Sequence, residues 1–185
     1  MGLRVHVLGG SGSGTSTLAR NLAKTFDSQC FDTDDFFWLP TDPPFQDKRP
    51  IADRLALMEQ LFLPRADWIL SGSFAGWGDP IIPRLSHVLF LDLPAGQRMA
   101  RLRKRERMRA GANRVDTPEW LASNKGFLDW AAGYDDPTFT GRSRARHDAW
   151  MAALPCPVTK IDASQPASGV LAEAIALLDP DRPTP

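Results

Sequence analysis

The sequence predicts a three-layer α/β chain, a parallel sheet flanked by helices on both sides, and three observations carry that prediction. Short apolar runs at residues 3–8, 68–70, 87–93 and 157–162 are too brief for helices, and longer segments with helical spacing follow them. The first run passes straight into Gly9-Gly10-Ser11-Gly12-Ser13-Gly14-Thr15-Ser16-Thr17, after which Leu18, Leu22 and Phe26 recur at helical spacing. At 185 residues the chain suits one domain, large enough to cover a central sheet on both faces. The expected domain therefore runs from 1 to 185, with no internal repeat and a polar, proline-rich tail at 179–185 that should fray.

The first strand, residues 3–8, holds His6 in an apolar run, where a neutral, hydrogen-bonded core histidine is expected. The stretch after it has the strand, glycine turn and helix order of a phosphate cradle. Gly9, Gly12 and Gly14 allow successive N–H groups to converge, and the helix presents its positive end to the same point. The spacing fits the Walker A frame, with Ser16 offering the hydroxyl of a Mg²⁺ shell. Thr15 stands where that motif has lysine, so the cradle lacks its usual cation.

A second, brief strand, Gln29-Cys30-Phe31, opens into Asp32-Thr33-Asp34-Asp35-Phe36-Phe37-Trp38. Parallel sheets bind ligands at the carboxyl ends of their strands. If the chain is still extended there, Asp32 and Asp34 share one face and can address one Mg²⁺-phosphate cluster. Capping of a turn or helix is the alternative. Phe37 and its neighbours either floor an acceptor pocket or belong to the core. Residues 39–50 are proline-rich and not helical. Arg49, just before a helical pattern at 51–63, and Arg54 inside it can clamp an anionic acceptor, a solvated face being the alternative. After the third strand, 68–70, Gly72 and Ser73 allow a substrate close to the backbone, with Trp77 as a wall.

The fourth strand, 87–93, leads into a helix from Ala95 with Arg98, Arg101, Arg103, Lys104, Arg105, Arg107 and Arg109. Nucleic acid is not the expected partner, because the run lacks interleaved aromatics and the chain balances 22 basic against 22 acidic residues. Arginines folding over a transferring phosphoryl group, on a flap that excludes water, suit the position better. Thr117-Pro118-Glu119 opens a helix to about Ala132, and a further helix near Gly141 carries Arg142, Arg144 and Arg146. Residues 157–162 form the fifth strand and 167–178 the closing helix. Cys30 and Cys156 read as buried thiols without metal-ligand spacing. With neither a signal peptide nor a run long enough to span a bilayer, the expected location is the cytoplasm, and no membrane partner is expected.

Taken together, the loop, the acids after the second strand, the small residues after the third, the Phe90-Leu91-Asp92-Leu93-Pro94 strand and the arginine-rich flap resemble the P-loop small-molecule and nucleoside-monophosphate kinases. That group includes adenylate, shikimate and gluconate kinases, and the likeness covers nearly the whole chain. It implies a five-stranded parallel sheet in the order 2-3-1-4-5, a lid at about 108–140, and an ATP- and Mg²⁺-dependent phosphotransferase acting on a nucleotide or small-molecule acceptor. By that resemblance residues 9–17 hold the ATP phosphates and Ser16 and Asp32 the metal. Asp34 orients or deprotonates the acceptor hydroxyl, with Asp32 beside it. Arg107 and Arg142 are the catalytic cations, Arg109 is a nucleotide contact, and residues 162–165 lie beside the adenine. Acceptor contacts fall to Asp34, Phe37, Arg49, Arg54, Gly72, Ser73 and Trp77. Thr15 departs from the pattern, as does Ser71, which stands where nucleotide kinases have an aspartate. A compensating cation is needed, from the lid arginines, Arg142, Arg144 or Lys125. The alternative is a nucleotide-binding module with little turnover.

Overall fold

The structure, a computed structural model, describes residues 2–42, 44–111 and 113–181. Five strands, β1 (Arg4–Gly9), β2 (Cys30–Asp32), β3 (Trp68–Ser71), β4 (His87–Asp92) and β5 (Val158–Asp162), form one sheet in the order β2-β3-β1-β4-β5. Every pairing is parallel, as Val5↔Ile69, Val7↔Leu89 and Leu91↔Ile161 illustrate. This is the order implied by the kinase resemblance. It sets β1 in the middle, so the chain leaves the sheet for its glycine loop with β3 and β4 on either side.

Both faces of the sheet are covered, and the period-two alternation of the strands sorts the core. Val5, Val7, Ile69, Leu89, Leu91 and Ile161 point to one side, against Leu18 and Leu22 of α1 (Thr15–Thr25) and Ala174 and Ile175 of α7 (Ala167–Leu178). Leu8, Trp68, Leu70, Val88 and Phe90 point to the other, against Met58 of α3 (Ile51–Leu61) and Met151 of α6 (Arg144–Ala152). His6 shares this second face with a Phe74 ring 4.3 Å away, and its Nδ1 lies 2.9 Å from the Leu70 carbonyl. Full burial drives its pKa down to about 4, so it is the neutral core histidine that its apolar run predicts.

The segment after β2 is a short helix, α2 (Thr33–Phe37), rather than extended chain, because the Asp32 carboxylate accepts from the Asp34 N–H at 3.1 Å and caps it. The expectation of two carboxylates side by side on extended backbone is corrected accordingly. Residues 39–50 turn back on themselves through an antiparallel bridge between Trp38 and Lys48. Helix α4 (Ala95–Ala110) packs Met99 and Leu102 against Ala131, Phe127 and Leu128 of α5 (Pro118–Ala132), whose first turn is capped by Thr117. Cys30 and Cys156 are half-buried free thiols rather than fully buried ones. Among the described residues no helix is long and apolar enough to cross a membrane. Residues 182–185 of the expected frayed tail, and Ala112 within the expected lid, lie outside the described residues.

Candidate functional site

The glycine loop leaves β1 and closes on itself through Ser13 N–H to the Gly10 carbonyl, 3.0 Å, before α1 starts at Thr15. Gly12 and Gly14 hold φ of +91° and +101°, which strain any other residue. A Cβ at Gly12 would also sit 2.5 Å from the Arg98 carbonyl oxygen, so the loop needs glycine there for space as well. Arg98, expected among the flap arginines, is instead buried behind the loop. Its Nη1 donates to the Ser11 carbonyl at 3.2 Å and the Ala131 carbonyl at 3.0 Å, and its Nη2 to Asp135 at 3.0 Å. The loop is thus anchored from the rear by a charged fork.

In front of the loop lies a cavity of about 320 Å³. Residues 12–17 form its floor, and Ala163 and Gln165, just after β5, form one wall. The opposite rim is Arg101, Arg105 and Arg109 of α4, spaced four apart and so on one helix face. The expected nucleotide contact Arg109 is thus joined by Arg101 and Arg105, which the basic run of α4 does not by itself set apart from its other arginines. Arg107 projects about 200° round the helix from Arg105. It forms a two-pronged pair with Asp116, at 2.7 and 2.9 Å, away from the cavity.

Asp32 joins the loop to the acids. Ser16 Oγ donates to its Oδ2 at 2.7 Å and Ser71 Oγ to the same oxygen at 2.9 Å, while Oδ1 caps α2. Ser71, the departure from the nucleotide-kinase pattern, therefore holds the carboxylate in place. Asp34 is exposed to water yet partly desolvated by the protein around it. Desolvation first, then the neighbouring Asp32 charge, pushes its pKa up. Arg142 and Arg105 are the cations that pull it back. The Arg142 guanidinium, 5.1 Å from the Trp130 ring centre, is near enough to act on Asp34 by its charge. Burial lowers its pKa, and the charges of Asp34 and Asp32 support its charged form.

Two other candidate cations are engaged elsewhere. Lys125 pairs with Asp129 on the surface of α5, and Arg144 pairs with Asp92 at 2.8 Å and Asp135 at 2.9 Å. Arg142 forms no ion pair among the described residues and lies within electrostatic reach of both acids. Phe37, Arg49, Arg54 and Trp77 are brought together as one cluster. The Arg54 guanidinium lies 3.9 Å from the centre of Phe37 and 5.0 Å from that of Trp77, and its Nε donates to the Arg49 carbonyl at 2.7 Å. Arg49 donates to the carbonyls of Phe36 and Trp38 at the end of α2. Gly72, at φ +105°, lets the chain pass so close to Thr33 that a Cβ would strike its hydroxyl. The Thr33 hydroxyl accepts from the Ser73 N–H at 3.1 Å, which seats Ser73 beside α2.

The donor set fits magnesium bound together with phosphates. Mg²⁺ characteristically takes one or two protein oxygens, completing its shell with phosphate oxygens and water. The Ser16 hydroxyl and the Asp32 carboxylate, in direct contact at the loop mouth, are such a pair. The described residues contain no cluster of three or more His, Cys, Asp or Glu suited to hold a metal by themselves.

No protein-family model matches the chain. It is 42% identical over 158 residues to the uncharacterized protein YqaC of Bacillus subtilis (strain 168), covering 85% of this chain and 87% of that one. Among solved structures, a gluconokinase from Sinorhizobium meliloti 1021 superposes with a TM-score of 0.52 at 18% identity, over 95% of this chain and 91% of the other. A sugar kinase from Janibacter sp. HTCC2649 gives 0.52 at 19%, over 97% and 95%. A shikimate kinase from Aquifex aeolicus vf5 gives 0.50 at 14%, over 97% and 98%. At such identities these structures establish the architecture, the fold of P-loop small-molecule kinases.

Proposed function

This chain belongs to the same family as YqaC, and on its P-loop small-molecule kinase fold we propose that it is an ATP-dependent phosphotransferase acting on a small metabolite or nucleotide. The observation that carries the reading is the contact of Ser16 with Asp32 at the loop mouth, with Asp34 next to it in α2 and Arg142 within electrostatic reach of both acids. A module that only stores a nucleotide has no use for an acid of raised pKa beside an unpaired arginine.

The residues divide the work by position. The N–H groups of 9–17 and the amino end of α1 receive the ATP phosphates, and Ala163 and Gln165 border the base. Ser16 and Asp32 would hold Mg²⁺, which would neutralise phosphate charge. Asp34 takes the acceptor hydroxyl's proton or orients that hydroxyl, and its raised pKa brings it closer to the pH of the reaction. Arg142 supplies the positive charge that Thr15 does not, and Arg105, within electrostatic reach of Asp34 from the cavity rim, adds to it. Arg109 contacts the nucleotide. Arg107 can act only after leaving Asp116, so its catalytic role requires closure of the lid, residues about 108–140. Phe37, Arg49, Arg54, Gly72, Ser73 and Trp77 line the acceptor side. The expected location remains the cytoplasm.

A panel of nucleotides, nucleoside monophosphates and hydroxylated metabolites tests the proposal by thermal shift with Mg²⁺ and by ADP release. The expected result is stabilisation by MgATP and turnover with at least one acceptor. Stabilisation by MgATP without turnover on any acceptor would favour the second reading, a nucleotide-binding module, which Thr15 at the lysine position supports.

A further inference from the structure

A buried polar chain connects the back of the glycine loop to the acceptor side, and the function proposed above makes no use of it. Tyr134, in the single turn of 3-10 helix Gly133–Asp135 that follows α5, lies with its hydroxyl 2.8 Å from His147 Nδ1. The opposite nitrogen of that ring, Nε2, lies 3.1 Å from Ser73 Oγ. Tyr134 is 3% exposed and His147 1% exposed, whereas Ser73 is only partly covered. The Tyr134 ring is held by the loop machinery, since a Cβ at Gly10 would meet it at 3.1 Å and the Arg98 guanidinium lies 4.8 Å from its centre. The Ser73 N–H donates to the Thr33 hydroxyl at 3.1 Å, and Thr33 precedes Asp34 in α2, so the far end of the chain lies beside the acid assigned to the acceptor.

The direction of the hydrogen bonds follows from counting donors. Burial and the Arg142 charge depress the His147 pKa to about 3, so the ring is neutral and has one donor nitrogen and one acceptor nitrogen. The Tyr134 hydroxyl is buried, and among the described residues His147 Nδ1 is its hydrogen-bonding partner. A buried O–H left without an acceptor is costly, so Tyr134 donates to Nδ1. The ring proton then resides on Nε2 and is donated to Ser73 Oγ. The Ser73 proton is thereby turned outward, towards the cleft. The opposite polarity would make His147 a base acting on Ser73, the arrangement of a nucleophilic serine. The tyrosine donor excludes it.

We propose that Tyr134 and His147 are positioning residues that hold Ser73 as a fixed hydrogen-bond donor to the acceptor, selecting substrates that present a carbonyl, carboxylate or hydroxyl oxygen beside the reacting hydroxyl. The assignment of Ser73 to the acceptor side rests on the phosphotransferase reading. The hydrogen-bond polarity does not.

Long-range ¹H–¹⁵N spectra of the full-length protein labelled at histidine test the polarity, with the His147 signals identified by their loss in His147→Gln. The expected result at neutral pH is a neutral Nε2–H ring, with the tautomer no longer fixed in Tyr134→Phe. An Nδ1–H ring in the wild type, or an unchanged tautomer in Tyr134→Phe, overturns the proposal. For the acceptor that gives turnover in the metabolite panel, Ser73→Ala should raise KM about tenfold, roughly the worth of one hydrogen bond. The KM for ATP should stay unchanged, and Ser73→Thr should restore the acceptor KM. An unaltered acceptor KM in Ser73→Ala overturns the acceptor role. An Nε2–H ring in a protein that phosphorylates nothing in the panel overturns the phosphotransferase reading while upholding the donor assignment.

Discussion

Replacing Arg98 by methionine tests whether the loop is braced from behind. Methionine keeps the length and the packing of the stem and removes the guanidinium. Four hydrogen bonds are lost, those to the carbonyls of Ser11 and Ala131 and to Asp135, and a long one to the Met99 sulfur. The Ala131 carbonyl keeps the Gly133 N–H as a partner and Asp135 keeps Arg144, so neither is left bare. Charged hydrogen bonds are worth about 1.5–3 kcal/mol each, and relief of the buried guanidinium's desolvation returns part of that sum. The net expected loss is about 2–4 kcal/mol, read from urea unfolding. The Ser11 carbonyl loses its anchor, so the dissociation constant for a fluorescent ADP analogue should rise about tenfold, the worth of one hydrogen bond. Arg98→Lys should rescue little, because an ammonium cannot reach three separated acceptors with a planar fork. A loss below about 0.5 kcal/mol with unchanged nucleotide affinity would refute the bracing role, since that is the effect of an ordinary surface substitution.

Thr15→Lys should keep the fold, because Thr15 is only partly covered and faces the cavity, and should tighten ATP binding or accelerate transfer. If calorimetry and ADP release both stay at wild-type values, Arg142 and the α4 arginines already supply the charge in full. Asp34→Asn should cut transfer by about 10²–10⁴ while leaving MgATP affinity nearly intact, and a kcat within twofold of wild type would remove Asp34 from the chemistry. Stability should fall on acidification from pH 6.5 towards 4. His6 and His147 have folded-state pKa values lowered to about 4 and about 3, so in this window the unfolded chain binds more protons than the native one. Each histidine contributes a slope of about 1.4 kcal/mol per pH unit, with stability rising as pH rises. Raised pKa values at Asp34 and Asp35 act in the opposite sense, in the range where carboxylates titrate. Urea melts that show no slope above pH 5 would contradict the buried, neutral state of the two rings.

Much of the fold was legible because its signals are local. Thr117-Pro118-Glu119 carries a cap, a pre-set φ and an acid for the first turn, and the helix starts at Pro118 as those features require. The glycine loop was legible because a strand, three glycines and an amphipathic helix occur without interruption. The acids after β2 were harder to place. Asp32 can either cap a helix or face the phosphate loop, and the structure has one oxygen do each: Oδ1 accepts from the Asp34 N–H, and Oδ2 from Ser16 of the loop's helix and from Ser71. Nothing within a few residues of Asp32 announces Ser71, which arrives from a different strand.

The arginines mark the boundary between the two kinds of information. By itself the sequence determined the α/β class, the positions of the strands and the need for glycine at 12 and 14, because periodicity, caps and positive φ are properties of neighbouring residues. It also showed that α4 is basic. Only the tertiary structure decided that Arg98 turns inward to the loop, that Arg101, Arg105 and Arg109 rim the cavity, that Arg107 is held by Asp116, and that Arg142 faces the acids. Charge alone cannot separate these roles, since a guanidinium takes whichever carboxylate, carbonyl or open cleft the packing of distant elements brings within its reach.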